Sequence, residues 1–251
     1  MDNREIGVFD SGVGGVSVLR DLARALPAEN FAYLGDTKYA PYGVKCEEEI
    51  LFLTENAVDS LLRRDIKALV IACNTATSAA AAHLRQKLSI PVIGMEPALK
   101  PASLATKSGK IAVLATPATL RQEKFQRLFA QYGQNAVLLP CPGLMEFAER
   151  CELEGERLDE YLKGAFSRAP GDIAAVVLGC THYVFLKKAI QKALPNATLF
   201  DGNEGTARHL KSVLAEKRMG AARDKGSVSF FTTGDEKTAL PLMETLFRLP
   251  L

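Results

Sequence analysis

Histidine is scarce in this 251-residue chain: three residues, spread over positions 83, 182 and 209. That scatter argues against a metal centre, whose ligands recur at short fixed spacings, so no metal is expected. Five cysteines, at 46, 73, 141, 151 and 180, form no CxxC pair, which argues against a zinc ribbon or a disulfide framework. Long apolar runs are missing too. The longest, Ala68–Cys73 and Ile173–Cys180, fall far short of the roughly 20 residues of a membrane helix. Met1–Phe9 carries Asp2, Arg4 and Glu5, leaving no room for the apolar region of a signal peptide, so the chain is expected to be cytoplasmic with no membrane partner. An excess of one charge is also absent. The 31 Lys+Arg and 29 Asp+Glu leave a net charge of +2, a poor match to a surface built to neutralise phosphates, and no nucleic-acid partner is expected.

Cofactor fingerprints are equally absent. Counted from Gly12, the loop Asp10-Ser11-Gly12-Val13-Gly14-Gly15 reaches Ser17 where a dinucleotide motif needs glycine, and no GxxxxGK[ST] occurs. Lys38 stands alone as a Schiff-base candidate, with nothing else to hold pyridoxal phosphate. No cofactor is expected. The Asp10–Gly15 loop still offers backbone amides at a helix start, a cradle for a carboxylate, although a plain tight turn would read the same way.

What is present is a series of short Val/Ile/Leu/Ala runs, each followed by a helical pattern, the signature of βαβ units around parallel sheets. Strands are expected near Ile6–Asp10, Phe31–Asp36, Ala68–Cys73 and Pro91–Met95, then near Lys110–Thr116, Ala136–Cys141, Ile173–Cys180 and Ala197–Asp201. Apolar stripes such as Ile50, Ala57, Val58, Leu61 and Phe125, Leu128, Phe129, Tyr132 read as helix faces turned to the core. The two halves superimpose in sequence. Ile6 matches Ile111 and Phe31 matches Ala136 at an offset of 105, and Cys73 matches Cys180 at 107. The expected fold is therefore α/β, two similar parallel-sheet domains related by internal duplication with a cleft between them. The run Val228–Thr233 is expected to return to the first half, making residues 1–97 plus 206–251 one discontinuous domain and 98–205 the other.

Ligands of open α/β sheets sit beyond the carboxyl ends of the strands, which is where Cys73 and Cys180 fall. A lone buried cysteine is ordinarily a small hydrophobe. Both of these, however, occupy equivalent strand ends and precede polar residues, Asn74-Thr75 and Thr181-His182. Facing thiols suit two-base chemistry, one removing a proton from carbon and the other returning one to the opposite face. That requires one thiolate and one thiol, which their surroundings must set. His182 is placed to relay a proton for Cys180, and Asp10 to accept one or hold an ammonium group, unless each is satisfied by backbone alone.

The blocks Phe9-Asp10-Ser11-Gly12-Val13-Gly14-Gly15, Gly35-Asp36-Thr37 with Pro41-Tyr42-Gly43, Ala72-Cys73-Asn74-Thr75-Ala76 and Leu178-Gly179-Cys180-Thr181-His182-Tyr183 resemble those of the glutamate racemases in the aspartate/glutamate racemase superfamily. The resemblance runs from Ile6 to about Gly205. It implies a cofactor-independent isomerase that interconverts L- and D-glutamate, supplies D-glutamate for peptidoglycan and forms homodimers. Carried over by residue, it implies Cys73 as the base for the D-enantiomer, assisted by Asp10, and Cys180 as the base for the L-enantiomer, assisted by His182. It further implies Glu149 as a catalytic carboxylate, with Glu146 competing for that place. Substrate contacts implied are Asp10, Ser11, Tyr42, Gly43, Asn74, Thr75, Thr116, Thr181 and His182. Two departures stand out. Cys46 occupies a position where similar sequences place Ser or Thr as a helix cap, and no segment precedes the first strand, so activation by a peptidoglycan precursor is not expected. Competing readings are an aspartate racemase of the same superfamily, a thiol hydrolase using one Cys with His182 as base, and a noncatalytic binding module.

Overall fold

The computed structural model describes residues 1–169 and 171–249. Among these residues, nine strands form two sheets: β1 (Ile6–Asp10), β2 (Phe31–Gly35), β3 (Ala68–Ile71), β4 (Val92–Gly94), β5 (Lys110–Ala115), β6 (Ala136–Pro140), β7 (Ile173–Leu178), β8 (Thr198–Phe200) and β9 (Val228–Thr232). The helices between them are α1 (Val16–Ala25), α2 (Glu47–Leu62), α3 (Asn74–Lys87), α4 (Leu99–Ala105), α5 (Pro117–Arg121), α6 (Glu123–Tyr132), α7 (Leu144–Glu149), α8 (Glu156–Phe166), α9 (Lys187–Ala193), α10 (Asn203–Glu216) and α11 (Glu236–Arg248).

Sheet A has the order β4-β3-β1-β2-β9 and sheet B the order β6-β5-β7-β8. Read from its other edge, sheet B is β8-β7-β5-β6, the first four strands of sheet A repeated. The register repeats as well. Ile6 pairs with Phe31 and Asp10 with Gly35 in sheet A, while Ile111 pairs with Ala136 and Ala115 with Pro140 in sheet B. All pairings are parallel, and strands so placed are covered on both faces, hence their continuous apolar runs. β9 breaks the symmetry by lying alongside β2 in sheet A.

Three apolar clusters hold the layers together. One lies on the outer face of sheet A, where Phe9, Ile71 and Val58 meet, and one on sheet B, where Val113, Phe125 and Val177 meet. The largest joins the two halves, running from Val8, Val16 and Leu19 through Leu144, Phe147 and Tyr183 to Leu210 and Met243. α1 supplies much of that junction, packing against α10, α11 and the 3-10 stretch Thr181–Leu186.

Strands β3 and β7 end two residues before the position expected from the apolar runs, at Ile71 and Leu178. Cys73 and Cys180 therefore lie just past the strands, at the start of the following turns. In sheet A the reason is local, because Cys73 has left the sheet to cap α3.

Candidate active site

In both sheets the strand order reverses beside the first strand of the repeat, and the turns after β1, β3, β5 and β7 open at that switch point. Open α/β sheets bind ligands there. One cavity occupies the junction, lined by Ser11, Tyr42, Gly43, Cys73, Asn74, Thr75, Thr116, Met145, Gly179, Cys180, Thr181 and His182. Both thiols reach it, one from each sheet. At about 20 Å³ it has room for about one water molecule, so an amino acid enters only after the halves part or the wall shifts.

Each thiol is held differently. Cys73 Sγ lies 3.2 Å from Ser11 Oγ and accepts the Ala76 N–H at 3.4 Å. Burial pushes the Cys73 thiol up to about 12, with the nearby Asp10 adding to the effect and the Ser11 and Ala76 hydrogen bonds opposing it. It is a thiol in this arrangement. Cys180 has no helix cap. Its Sγ is 3.7 Å from His182 Nδ1. Burial by itself would lower the His182 pKa, yet its contacts with Cys180 and Glu149 outweigh burial and raise it to about 10, making it an imidazolium at neutral pH. Glu149 Oε1 approaches His182 Nε2 to 3.3 Å without hydrogen-bond alignment, so the contact is an ion pair. Glu149, not Glu146, is the carboxylate that meets this ring.

Asp10 is fully buried and stands behind the cavity wall. It accepts the Gly12 N–H at 3.0 Å and the Thr181 hydroxyl at 3.2 Å. Burial raises its pKa, opposed by the His182 charge and these donors. Of the expected substrate contacts, Ser11, Tyr42, Gly43, Asn74, Thr75, Thr116, Thr181 and His182 line the cavity, while Asp10 supports the wall through Thr181. Thr75, Thr116 and Thr119 form a hydroxyl triangle of 2.9–3.2 Å across the two halves. Tyr42 is fixed by donating to Asp36 Oδ2 at 2.5 Å, and Thr233 donates to Asp36 Oδ1.

Met145 and Gly179 are lining residues that sequence reasoning passed over. Met145 belongs to a segment with no clear strand signal. Gly179 precedes Cys180 in a block already singled out, and its packing supplies the reason for glycine: an added Cβ would come within 2.9 Å of Ala115 Cβ and of the Leu114 carbonyl oxygen. Gly14 is constrained in the same way, since a Cβ there would collide with Thr181 Oγ1 and His182 Nδ1. Among the described residues, no group of three or more His, Cys, Asp or Glu side chains converges as metal ligands would, and no helix is long and apolar enough to cross a membrane.

The duplicated sheets and the shared two-thiol cavity define an α/β enzyme of the racemase type. Residues 6–210 match the family described as Asp/Glu/hydantoin racemase. The chain is 47% identical over 250 residues to the glutamate racemase of Clostridium botulinum strain Alaska E43, covering 97% of each. Its fold matches the crystal structure of glutamate racemase isoform RacE1 from Bacillus anthracis with a TM-score of 0.89 at 33% identity, covering 100% of this chain and 96% of that one. It also matches the glutamate racemase of Francisella tularensis in complex with D-glutamate, with a TM-score of 0.85 at 28% identity over 100% and 96%. The chain belongs to the Asp/Glu/hydantoin racemase family.

Proposed function

We propose that this chain is a glutamate racemase that interconverts L- and D-glutamate by proton transfer at the α-carbon, with no cofactor. The observation that carries the reading is the single cavity holding Cys73 and Cys180, one delivered by each sheet. The names of its relatives, at 47% identity over nearly the whole chain, supply the substrate, and the relative bound to D-glutamate supports it.

Cys180 serves as base for the L-enantiomer and Cys73 as base for the D-enantiomer, each acting as acid in the other direction. A protonated Cys73 is ready to return a proton. The His182 imidazolium stabilises negative charge placed on Cys180 Sγ, and Glu149 keeps that imidazolium charged. Ser11, Asn74, Thr75, Thr116 and Thr181 offer hydroxyl, amide and helix-start donors for the two substrate carboxylates. Asp10 assists Cys73 and holds Thr181. The working unit is read as two domains, 1–97 with 206–251 against 98–205, in a cytoplasmic homodimer that supplies D-glutamate to peptidoglycan synthesis.

The test is incubation with L-glutamate in deuterated water without added cofactor, following optical rotation and α-carbon deuterium. Rotation decaying to zero with deuterium incorporated is the expected result. Absence of both sinks the proposal, and L-aspartate run in parallel separates the two substrates.

A further inference from the structure

Of the buried hydrogen bonds that cross between the halves of the molecule, two are related by the internal repeat. Ser17, on α1 of the sheet A half, donates its hydroxyl to the Thr181 carbonyl at 3.0 Å. Gln122, at the junction of α5 and α6 in the sheet B half, donates Nε2 to the Thr75 carbonyl at 3.1 Å. Positions 17 and 122 lie 105 residues apart, the same offset that relates the paired strands Ile6/Phe31 and Ile111/Ala136. Each donor reaches across to the turn that follows the other half's cysteine: Thr181 comes one residue after Cys180, and Thr75 two after Cys73. Neither side chain touches the cavity, and both are more than nine-tenths buried.

We propose that Ser17 and Gln122 are a reciprocal pair of positioning residues, Ser17 setting the Cys180 turn and Gln122 setting the Cys73 turn when the halves come together. A buried hydrogen bond to a backbone carbonyl fixes the turn that carries the thiol, and small displacements of a proton-transfer group are costly in rate. Because each bond bridges the halves, each thiol reaches its working position only when the opposite half is docked. Proton abstraction from carbon is thereby tied to a cavity closed to water. The inference rests on the two-thiol reading above.

Overall rates cannot separate the two residues. L- and D-glutamate are equally stable, so kcat/KM changes by the same factor in both directions, here a fall of roughly 2- to 10-fold for each lost bond. Primary isotope effects can separate them. With Ser17→Ala, transfers involving Cys180 become more rate-limiting. The isotope effect on α-deuterated L-glutamate then rises relative to that on α-deuterated D-glutamate. With Gln122→Met, which keeps the length and removes the donor, the ratio shifts the other way. Thermal melts establish that each variant folds, with Ser17→Cys and Gln122→Leu standing in for one that does not. Opposite shifts in the two variants are the expected result. Shifts in the same direction, reversed shifts, or unchanged ratios in folded protein overturn the proposal. Should the wild-type chain racemise glutamate while the variants fail to diverge, only this pairing falls; should the wild type leave glutamate untouched, the functional reading itself falls.

Discussion

The two thiol turns occupy matching points of matching sheets, yet different chemistry holds them. After β3 the chain enters a helix of 14 residues, and Cys73 Sγ caps it by accepting the Ala76 N–H, with the neutral Ser11 hydroxyl beside it. After β7 it enters a 3-10 stretch of 6 residues with no cap, and Cys180 is accompanied instead by the charged His182 and, behind it, Glu149. Repeated topology dictates where the backbone delivers a residue. It does not dictate what surrounds the residue, and a reaction that needs one thiol and one thiolate requires that divergence.

The severest test of the comparison removes either thiol. Cys73→Ser and Cys180→Ser should each fold and each lose racemisation by about 10²- to 10⁴-fold or more, because a serine hydroxyl is a far weaker acid than a thiol and cannot fill the proton-transfer role. Polarimetry on both enantiomers reads the loss. A thiol hydrolase built on the Cys180–His182 contact would need only one of them, so full activity in either variant breaks the two-base account.

Next in size is the charge behind Cys180. Glu149 is the carboxylate that meets His182, so Glu149→Gln should let the His182 pKa fall from about 10. The alkaline limb of the rate profile then moves toward neutrality and the rate drops by roughly 10-fold. Glu146→Gln should leave that limb in place. A shift with Glu146→Gln instead would reassign the role between two acids that the sequence could not tell apart.

How much of this was legible beforehand follows from the length scale of each interaction. Strand runs and their offset of 105 are local patterns, and they anticipated both sheets, the repeat and the placement of Cys73 and Cys180. Of the eight expected substrate contacts that line the cavity, seven came from the blocks that carried the resemblance, and Thr116 lies outside them. Asp10 was legible as a strand-end acid able to accept a proton or hold an ammonium group, but not as the acceptor of Thr181, 171 positions away. In the sequence Ser17 stands out only as the residue that breaks a dinucleotide motif, since its partner is a backbone carbonyl in the other half. Contacts of that kind leave no mark at any fixed spacing. Helix α7, with Met145, carried too few apolar repeats to announce itself, and α11 likewise went unread.

A smaller effect should come from the fifth strand, which sheet A has and sheet B lacks. β9 ends beside the turn that presents Tyr42 and Gly43. Thr232 and Thr37 share a hydroxyl contact of 2.6 Å, and Thr233 donates to Asp36, the acceptor of the Tyr42 hydroxyl. Thr233→Val keeps the shape and removes that donor, leaving the Asp36 carboxylate with Tyr42 as its side-chain partner. One hydrogen bond of this kind contributes about 0.5–1.5 kcal/mol, so KM for glutamate should rise roughly 2- to 10-fold with kcat nearly unchanged, since neither thiol moves. A fall in kcat at constant KM would show that β9 supports the chemistry and not the cradle.

The last effect is on stability, and its sign follows from the same asymmetry. The folded-state pKa of His182 is about 10, above its ordinary 6.5. Below about pH 6.5 the ring is protonated in both folded and unfolded chains, and the stabilisation from its charged partners is fully present. Between about 6.5 and 10 the folded chain holds a proton that the unfolded chain has released, so stability falls as pH rises. Cys73, raised to about 12 from 9.0, extends the decline in the same direction above pH 9. Tm should therefore drop across the neutral-to-alkaline range, at about 2–4 °C for each kcal/mol of stability lost in a chain of this size. His182→Asn should flatten the portion between 6.5 and 9, and Cys73→Ser should leave that portion alone while flattening the part above it. If the two substitutions flattened the same stretch of the curve, the charge would not be confined to the Cys180 side, and the distinction between the two thiol turns would have to be abandoned.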